Sequence, residues 1–166
     1  MALVSVLPRA LDEPLPIDVL ADLASRAARH LAHSAREPVA YPGGRWHVRL
    51  RVTDHYDVWL IGWGVQSVVE LHDHGPSAGA LAVMSGTLVE HTPRATGGRR
   101  RQTLAAGAVH VFEAGHRHDV VNDGNEVALS AHVYSPPLSS MTFYDHADVA
   151  VRTELVDLPG LIEDRG

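Results

Sequence analysis

The stretch from Ile61 to Gly86, IGWGVQSVVELHDHGPSAGALAVMSG, decides how the rest of the chain is read. At its centre stands His72-Asp73-His74, two histidines at i and i+2 flanked by apolar residues and small turn residues. Side chains two apart on an extended segment share one face, so both imidazoles can enter the same cavity. That arrangement suits a metal ion. Taken alone, an HxH pair in a chain with twelve histidines is more often a strand carrying two satisfied imidazoles, so it needs a second signal.

The second signal is the block from Gly107 to Asn122, GAVHVFEAGHRHDVVN. Together the two blocks resemble the paired motifs of the cupin superfamily, GX5HXHX3-4EX6G and GX5PXGX2HX3N. Gly107, Gly115, His118 and Asn122 are in register with the second pattern, with Glu113 where proline is usual. In the first, the histidines and Gly86 fit, whereas Gln66 stands at the opening glycine and Gly79 where a glutamate ligand would be. The ligand set this resemblance implies is His72, His74 and His118, with no carboxylate. His116 reads as a rim residue, and His30, His33, His47, His55, His91, His110 and His146 as structural or surface residues.

Composition narrows the class. A chain of 166 residues is one domain by size, 1–166, and long enough to bury a core. It is 45% apolar without a run of eighteen apolar residues, which reads as soluble and globular. The first residues, MALVSVLPRALDEPL, have no basic leader ahead of an apolar core, so cytoplasmic residence is expected. No cysteine is present, which excludes disulfides, thiolate metal ligands and a cysteine nucleophile. There is no lysine either, so each of the 14 basic side chains counted as Lys+Arg is an arginine. A net charge of −6 argues against nucleic acid as a partner; Arg99-Arg100-Arg101 after Gly97-Gly98 reads as a solvated hairpin end. No membrane partner is expected, and the protein should act as a monomer or homodimer.

Ile17, Leu20, Ala24, Ala27 and Leu31 recur at helical spacing within Pro16–His33, which predicts a helix packed outside a barrel. Glu37-Pro38 and Tyr41-Pro42-Gly43-Gly44 close this N-terminal segment, 1–44, with turn chemistry. Short strands follow at Trp46–Thr53, Tyr56–Gly64, Val68–His72, Ala80–Met84, Gly86–Glu90, Gln102–Leu104, Ala108–Phe112, Asp119–Asn122 and Glu126–Tyr134. Most are bounded by Gly, Pro, Asn or Asp. The fold class expected is all-β with a small N-terminal helical part, and the cupin motifs select a jelly-roll β-barrel with its core at 45–137. Ser135-Pro136-Pro137 should take the chain out of the barrel, because prolines do not donate to a ladder. A C-terminal extension, 138–166, would carry one more strand near Met141–Tyr144, and its end, Leu158-Pro159-Gly160-Leu161-Ile162, is apolar enough to pack.

His72-Asp73-His74-Gly75, Trp63-Gly64 upstream of it, and Ser130-Ala131-His132-Val133-Tyr134-Ser135-Pro136-Pro137 together resemble the cysteine dioxygenase family of thiol dioxygenases. The resemblance covers Trp46 to Pro137, and its SxHxYSPP segment is the most specific part. It implies that His72, His74 and His118 bind iron as Fe(II), and that Ser130, His132 and Tyr134 form a relay beneath the bound substrate. Strand periodicity puts those three on one face, where inward polar groups need partners. The mammalian members' cross-linked cysteine is replaced by Gly79, so no thioether forms here. The resemblance also implies an early-strand arginine for a substrate carboxylate, and His47-Val48-Arg49 matches it, with Arg51 as competitor.

Iron enzymes more commonly use two histidines and a carboxylate, and three histidines also suit catalytic zinc. A neutral ligand set raises the charge at the metal by one unit and favours an anionic ligand such as a thiolate. The function expected is therefore an iron-dependent dioxygenase converting L-cysteine to cysteine sulfinate with O2, in cysteine metabolism. The alternatives are a dioxygenase of 3-mercaptopropionate or another small thiol, or a non-catalytic metal-binding cupin serving as a sensor.

Overall fold

The computed structural model describes residues 13–34 and 44–156. The turn expected at 37–43 and the apolar tail at 158–162 lie outside those residues. Among the described residues one helix, α1 (Ile17–Ser34), is followed by eleven strands. They are β1 (Arg45–Val52), β2 (Asp57–Trp63), β3 (Val68–Asp73), β4 (Ala78–Ser85), β5 (Thr87–Pro93), β6 (Arg99–Ala105), β7 (Val109–Phe112), β8 (His118–Val121), β9 (Ala128–Ser135), β10 (Ser140–Tyr144) and β11 (Ala150–Leu155).

The strands pair into two antiparallel sheets, one ordered β1-β2-β9-β4-β7 and the other β11-β10-β3-β8-β5-β6. They face one another as the jelly roll that the motifs imply. β4 shows how alternation builds three layers from two sheets. Leu81 and Val83 point inward to join Ile61, Trp63, Val69, Leu88, Leu104, Val120 and Phe143 in the barrel core. Ala78, Ala80 and Ala82 point outward, and their small side chains let α1 lie close, with Leu20 and Ala24 fully buried against them. Both faces of β4 are therefore dry, which is why its sequence is an almost unbroken apolar run.

Two features depart from expectation. The chain does not leave the barrel for good at Pro137: β10 pairs with β3 through Phe143↔His72, and β11 extends that sheet, so residues 140–155 belong to the barrel wall. All six residues of β11 are exposed, so no apolar face marked it in the sequence. In addition, β1 carries a bulge between Arg49 and Arg51, which breaks the alternation that would have put both arginines on one face.

Candidate metal centre

His72 near the end of β3 and His118 at the start of β8 are direct cross-strand partners. His74 follows in the turn after β3, where its ring stacks on Phe112 at 4.9 Å and lies beside Tyr134 at 4.9 Å. The three side chains are buried, and their ligand nitrogens lie within 4.8 Å of one another. His72 Nε2 and His74 Nε2 are 3.1 Å apart.

The outer nitrogens explain the orientation. His72 Nδ1 lies 2.7 Å from the Glu70 carbonyl, and His118 Nδ1 lies 2.6 Å from Glu90 Oε1. Both oxygens accept, so both Nδ1 atoms donate, and each Nε2 is left with a free lone pair. Burial drives His72 and His74 well below the usual histidine range, and neighbouring imidazoles push the same way. Burial also lowers His118, outweighing the upward pull of Glu90. Neutral imidazole is the form that binds a metal. Donors at bonds of ~2.1 Å and right angles sit about 3.0 Å apart, so the trio fits a divalent cation. His72, His74 and His118 could hold a metal ion by this donor chemistry.

A polar chain runs up to the same place. Trp63 Nε1 donates to Ser130 Oγ at 2.9 Å, Ser130 Oγ is 2.9 Å from His132 Nε2, and His132 Nδ1 is 3.0 Å from the Tyr134 hydroxyl. The indole can only donate; in the His132 tautomer protonated at Nδ1, Ser130 donates to Nε2 and Nδ1–H donates to the phenolic oxygen. The Tyr134 proton is thereby left for the cavity. Burial lowers His132 to about 3 and raises Tyr134 far above its ordinary value, so both stay neutral.

His72, His132 and Tyr134 line a cavity of ≈ 380 Å³, together with Arg45, Trp59 and Trp63. Most of the remaining wall is apolar.

A sequence profile of the family described as cysteine dioxygenase type I matches residues 44–147. The chain belongs to that family. Solved structures agree on the fold. The TT1209 protein from Thermus thermophilus matches with a TM-score of 0.53 at 20% identity, over 64% of this chain and 94% of that one. A protein with a double-stranded β-helix domain from Klebsiella pneumoniae matches with a TM-score of 0.52 at 17% identity, over 76% and 95%. An oxalate oxidase matches with a TM-score of 0.54 at 16% identity, over 66% of this chain and 60% of that one. These likenesses show the cupin barrel, and the family profile adds a dioxygenase-like oxidoreductase.

For this family member the arginine expectation is corrected. Arg49 does not line the cavity: it is 3.2 Å from Asp57, donates to the Leu138 carbonyl at 2.8 Å, and lies over the Trp59 ring. Asp57 is fully buried, and a buried carboxylate needs such a partner. Past the bulge, Arg51 is exposed beside the Tyr56 ring. The arginine in the cavity is Arg45, four residues before Arg49 and of the same parity. Burial lowers its guanidinium, against a smaller upward pull from Tyr134. Strand alternation carries that signal, since Arg45 and Arg49 share one parity along β1 ahead of the bulge. The sequence assigned no role to Glu90, which orients His118, or to the Trp63 indole, which starts the relay.

Proposed function

We propose that the protein is an iron-dependent dioxygenase of a small thiol carboxylate, with L-cysteine as substrate and cysteine sulfinate as product. The observation that carries this reading is the single cavity walled by His72, His132, Tyr134 and Arg45, which offers a metal face, a neutral phenol and a fixed cation together. Fe(II) held by His72, His74 and His118 would supply the O2 chemistry. The reaction inserts both atoms of O2 into the substrate, RSH + O2 giving RSO2H.

The residues around it do the positioning. Arg45 meets the carboxylate, which would be costly to desolvate without a charge-assisted partner. Tyr134 offers its hydroxyl proton to the reacting end, and His132 and Ser130 hold it there. Trp59, Ile61, Val69, Met141 and Phe143 keep the cavity dry, which strengthens both contacts. Cytoplasmic residence fits a free small thiol as partner.

One observation favours a second substrate. Among the described residues the only carboxylate lining the cavity is Glu154, exposed and bound to Arg152 at 2.9 Å, so the wall gives an ammonium group little to meet. A thiol acid without an amine, 3-mercaptopropionate, suits that lining. The test is O2 uptake and sulfinate formation by the Fe(II)-loaded protein with L-cysteine, 3-mercaptopropionate and cysteamine. L-Cysteine turnover with one O2 consumed per sulfinate is expected, and cysteamine should be poor. Preference for 3-mercaptopropionate would change the substrate; no sulfinate from any thiol would leave a metal-binding cupin without this activity.

A further inference from the structure

Glu90 on β5 has more imidazoles around it than the first centre uses. Its side chain is 2% exposed and meets three histidines: His118 Nδ1 at 2.6 Å and His116 Nε2 at 3.1 Å on Oε1, and His110 Nε2 at 3.0 Å on Oε2. His118 needs only one oxygen to fix its ring. His110, from β7, and His116, from the turn before β8, remain to be explained. Burial would raise Glu90, but the three imidazole contacts together outweigh it and keep the carboxylate ionised.

The contact with His110 is the informative one. Its Nε2 is buried and makes no hydrogen bond of acceptable geometry among the described residues, although Glu90 Oε2 is close. The ring nitrogen sits against the carboxylate without the geometry of a hydrogen bond to it. His116 is held against the Phe112 ring, stacked at 5.6 Å. The ligand atoms of Glu90, His110 and His116 lie within 4.8 Å of one another, as do those of His72, His74 and His118. Donor separations of 3.0 and 3.1 Å at Glu90 match the 3.1 Å between His72 and His74.

We propose that Glu90, His110 and His116 form a second divalent-cation site, of the zinc class, joined to the first centre through Glu90. Two histidines and a glutamate are a recognised zinc set that leaves an open position. The His110 and His116 side chains are 17% and 27% exposed, so the cluster lies at the rim of the barrel rather than in its core. Oε1 accepts from His118 while Oε2 faces the second ion, so one carboxylate serves both. The site does not depend on the dioxygenase reading, and its test reads metal content rather than turnover.

The full-length protein is stripped with a chelator, equilibrated with Zn2+, and its zinc-to-protein ratio measured after gel filtration. Wild type should retain one zinc more than His116→Ala or His110→Ala, while His74→Ala loses a different zinc and keeps this one. Anomalous scattering at the zinc edge should place that ion within bonding distance of Glu90. His116 is partly exposed, so its substitution should leave the fold intact, as circular dichroism will verify, and the anomalous map on wild type stands without any variant. Equal zinc in wild type and both variants, or no anomalous peak at Glu90, would overturn the proposal. A His74→Ala variant that loses no zinc would instead count against the first centre alone.

Discussion

Burial acts in opposite senses on His132 and Tyr134, lowering the first and raising the second, and the outcome is a neutral pair able to aim one proton into the cavity. Both residues line the cavity without belonging to the ligand trio, so His132→Ala and Tyr134→Phe should lower kcat by roughly 10–100-fold with iron content nearly unchanged. Parallel loss of iron and rate, measured by elemental analysis beside O2 uptake, would contradict that division. His132 also links stability to pH. Its folded value is about 3 against an ordinary 6.5, so the stability it contributes is present above 6.5 and is lost as pH falls toward 3. Between those limits the unfolding free energy from urea titrations should change about 1.4 kcal/mol per pH unit less steeply in His132→Gln than in wild type. The two arginines should separate by readout. Arg45→Ala should raise the KM for L-cysteine with a loss of roughly 2–4 kcal/mol in kcat/KM, and leave cysteamine nearly indifferent. Arg49→Ala strands the buried Asp57 and should instead cost about 3–5 kcal/mol of folding stability. An unchanged KM in Arg45→Ala would remove its assigned role.

Among the elements, β4 carries the tightest steric constraint near the centre. A Cβ at Gly79 would lie 2.5 Å from the Phe112 ring and 3.1 Å from Tyr134 Cδ1. The position that lacks a carboxylate ligand is therefore also the place where the chain makes room for Phe112, whose ring stacks on both His74 and His116. Gly79→Ala should destabilise by about 1–3 kcal/mol through overpacking, and should weaken metal retention by displacing that ring. A melting temperature and metal content equal to wild type would show that the ring gives way freely. The β2–β3 turn has a related tension. Gln66 occupies the cupin motif's opening glycine position with φ at 62°, a left-handed backbone that glycine adopts without cost. Its amide donates to the Asn122 carbonyl, and Asn122 in turn donates to the carbonyls of Trp63, Gly64 and Glu126, so a network spanning the turn holds the strained residue.

At the scale of the whole molecule, the centre lies where the two sheets meet. His72 and His118 come from the six-stranded sheet, while Phe112 and Tyr134, which pack on His74, come from the five-stranded one. A cation bound there is held by β3, the turn after it and β8 only in the folded state, so it should add about 2.7 kcal/mol at a hundredfold excess over its Kd. For a chain of this size that is a rise of roughly 5–10 °C in Tm with Fe(II) relative to the chelator-treated protein. Most of the rise should vanish in His74→Ala; a shift that survives there would place the stabilising ion elsewhere. Among the described residues no helix is long and apolar enough to cross a membrane.

Local periodicity and short motifs determined a good deal by themselves. Alternation in β1, and short apolar runs bounded by turn residues elsewhere, marked nine of the strands, helical spacing marked α1, and residues two apart on an extended segment put His72 with His74 and Ser130 with His132 and Tyr134. These relations depend on backbone geometry over a few residues, so they are written in the order of the chain. Contacts between distant segments were a different matter. Trp63 reaches Ser130 across 67 positions and Glu90 reaches His118 across 28, and no local pattern announces either pair. β11 stayed hidden because an edge strand exposed on both faces has no apolar alternation to show. The choice among Arg45, Arg49 and Arg51 needed the tertiary structure for two physical reasons: a bulge after Arg49 turned Arg51 out of alternation, and the buried Asp57 claimed the Arg49 guanidinium.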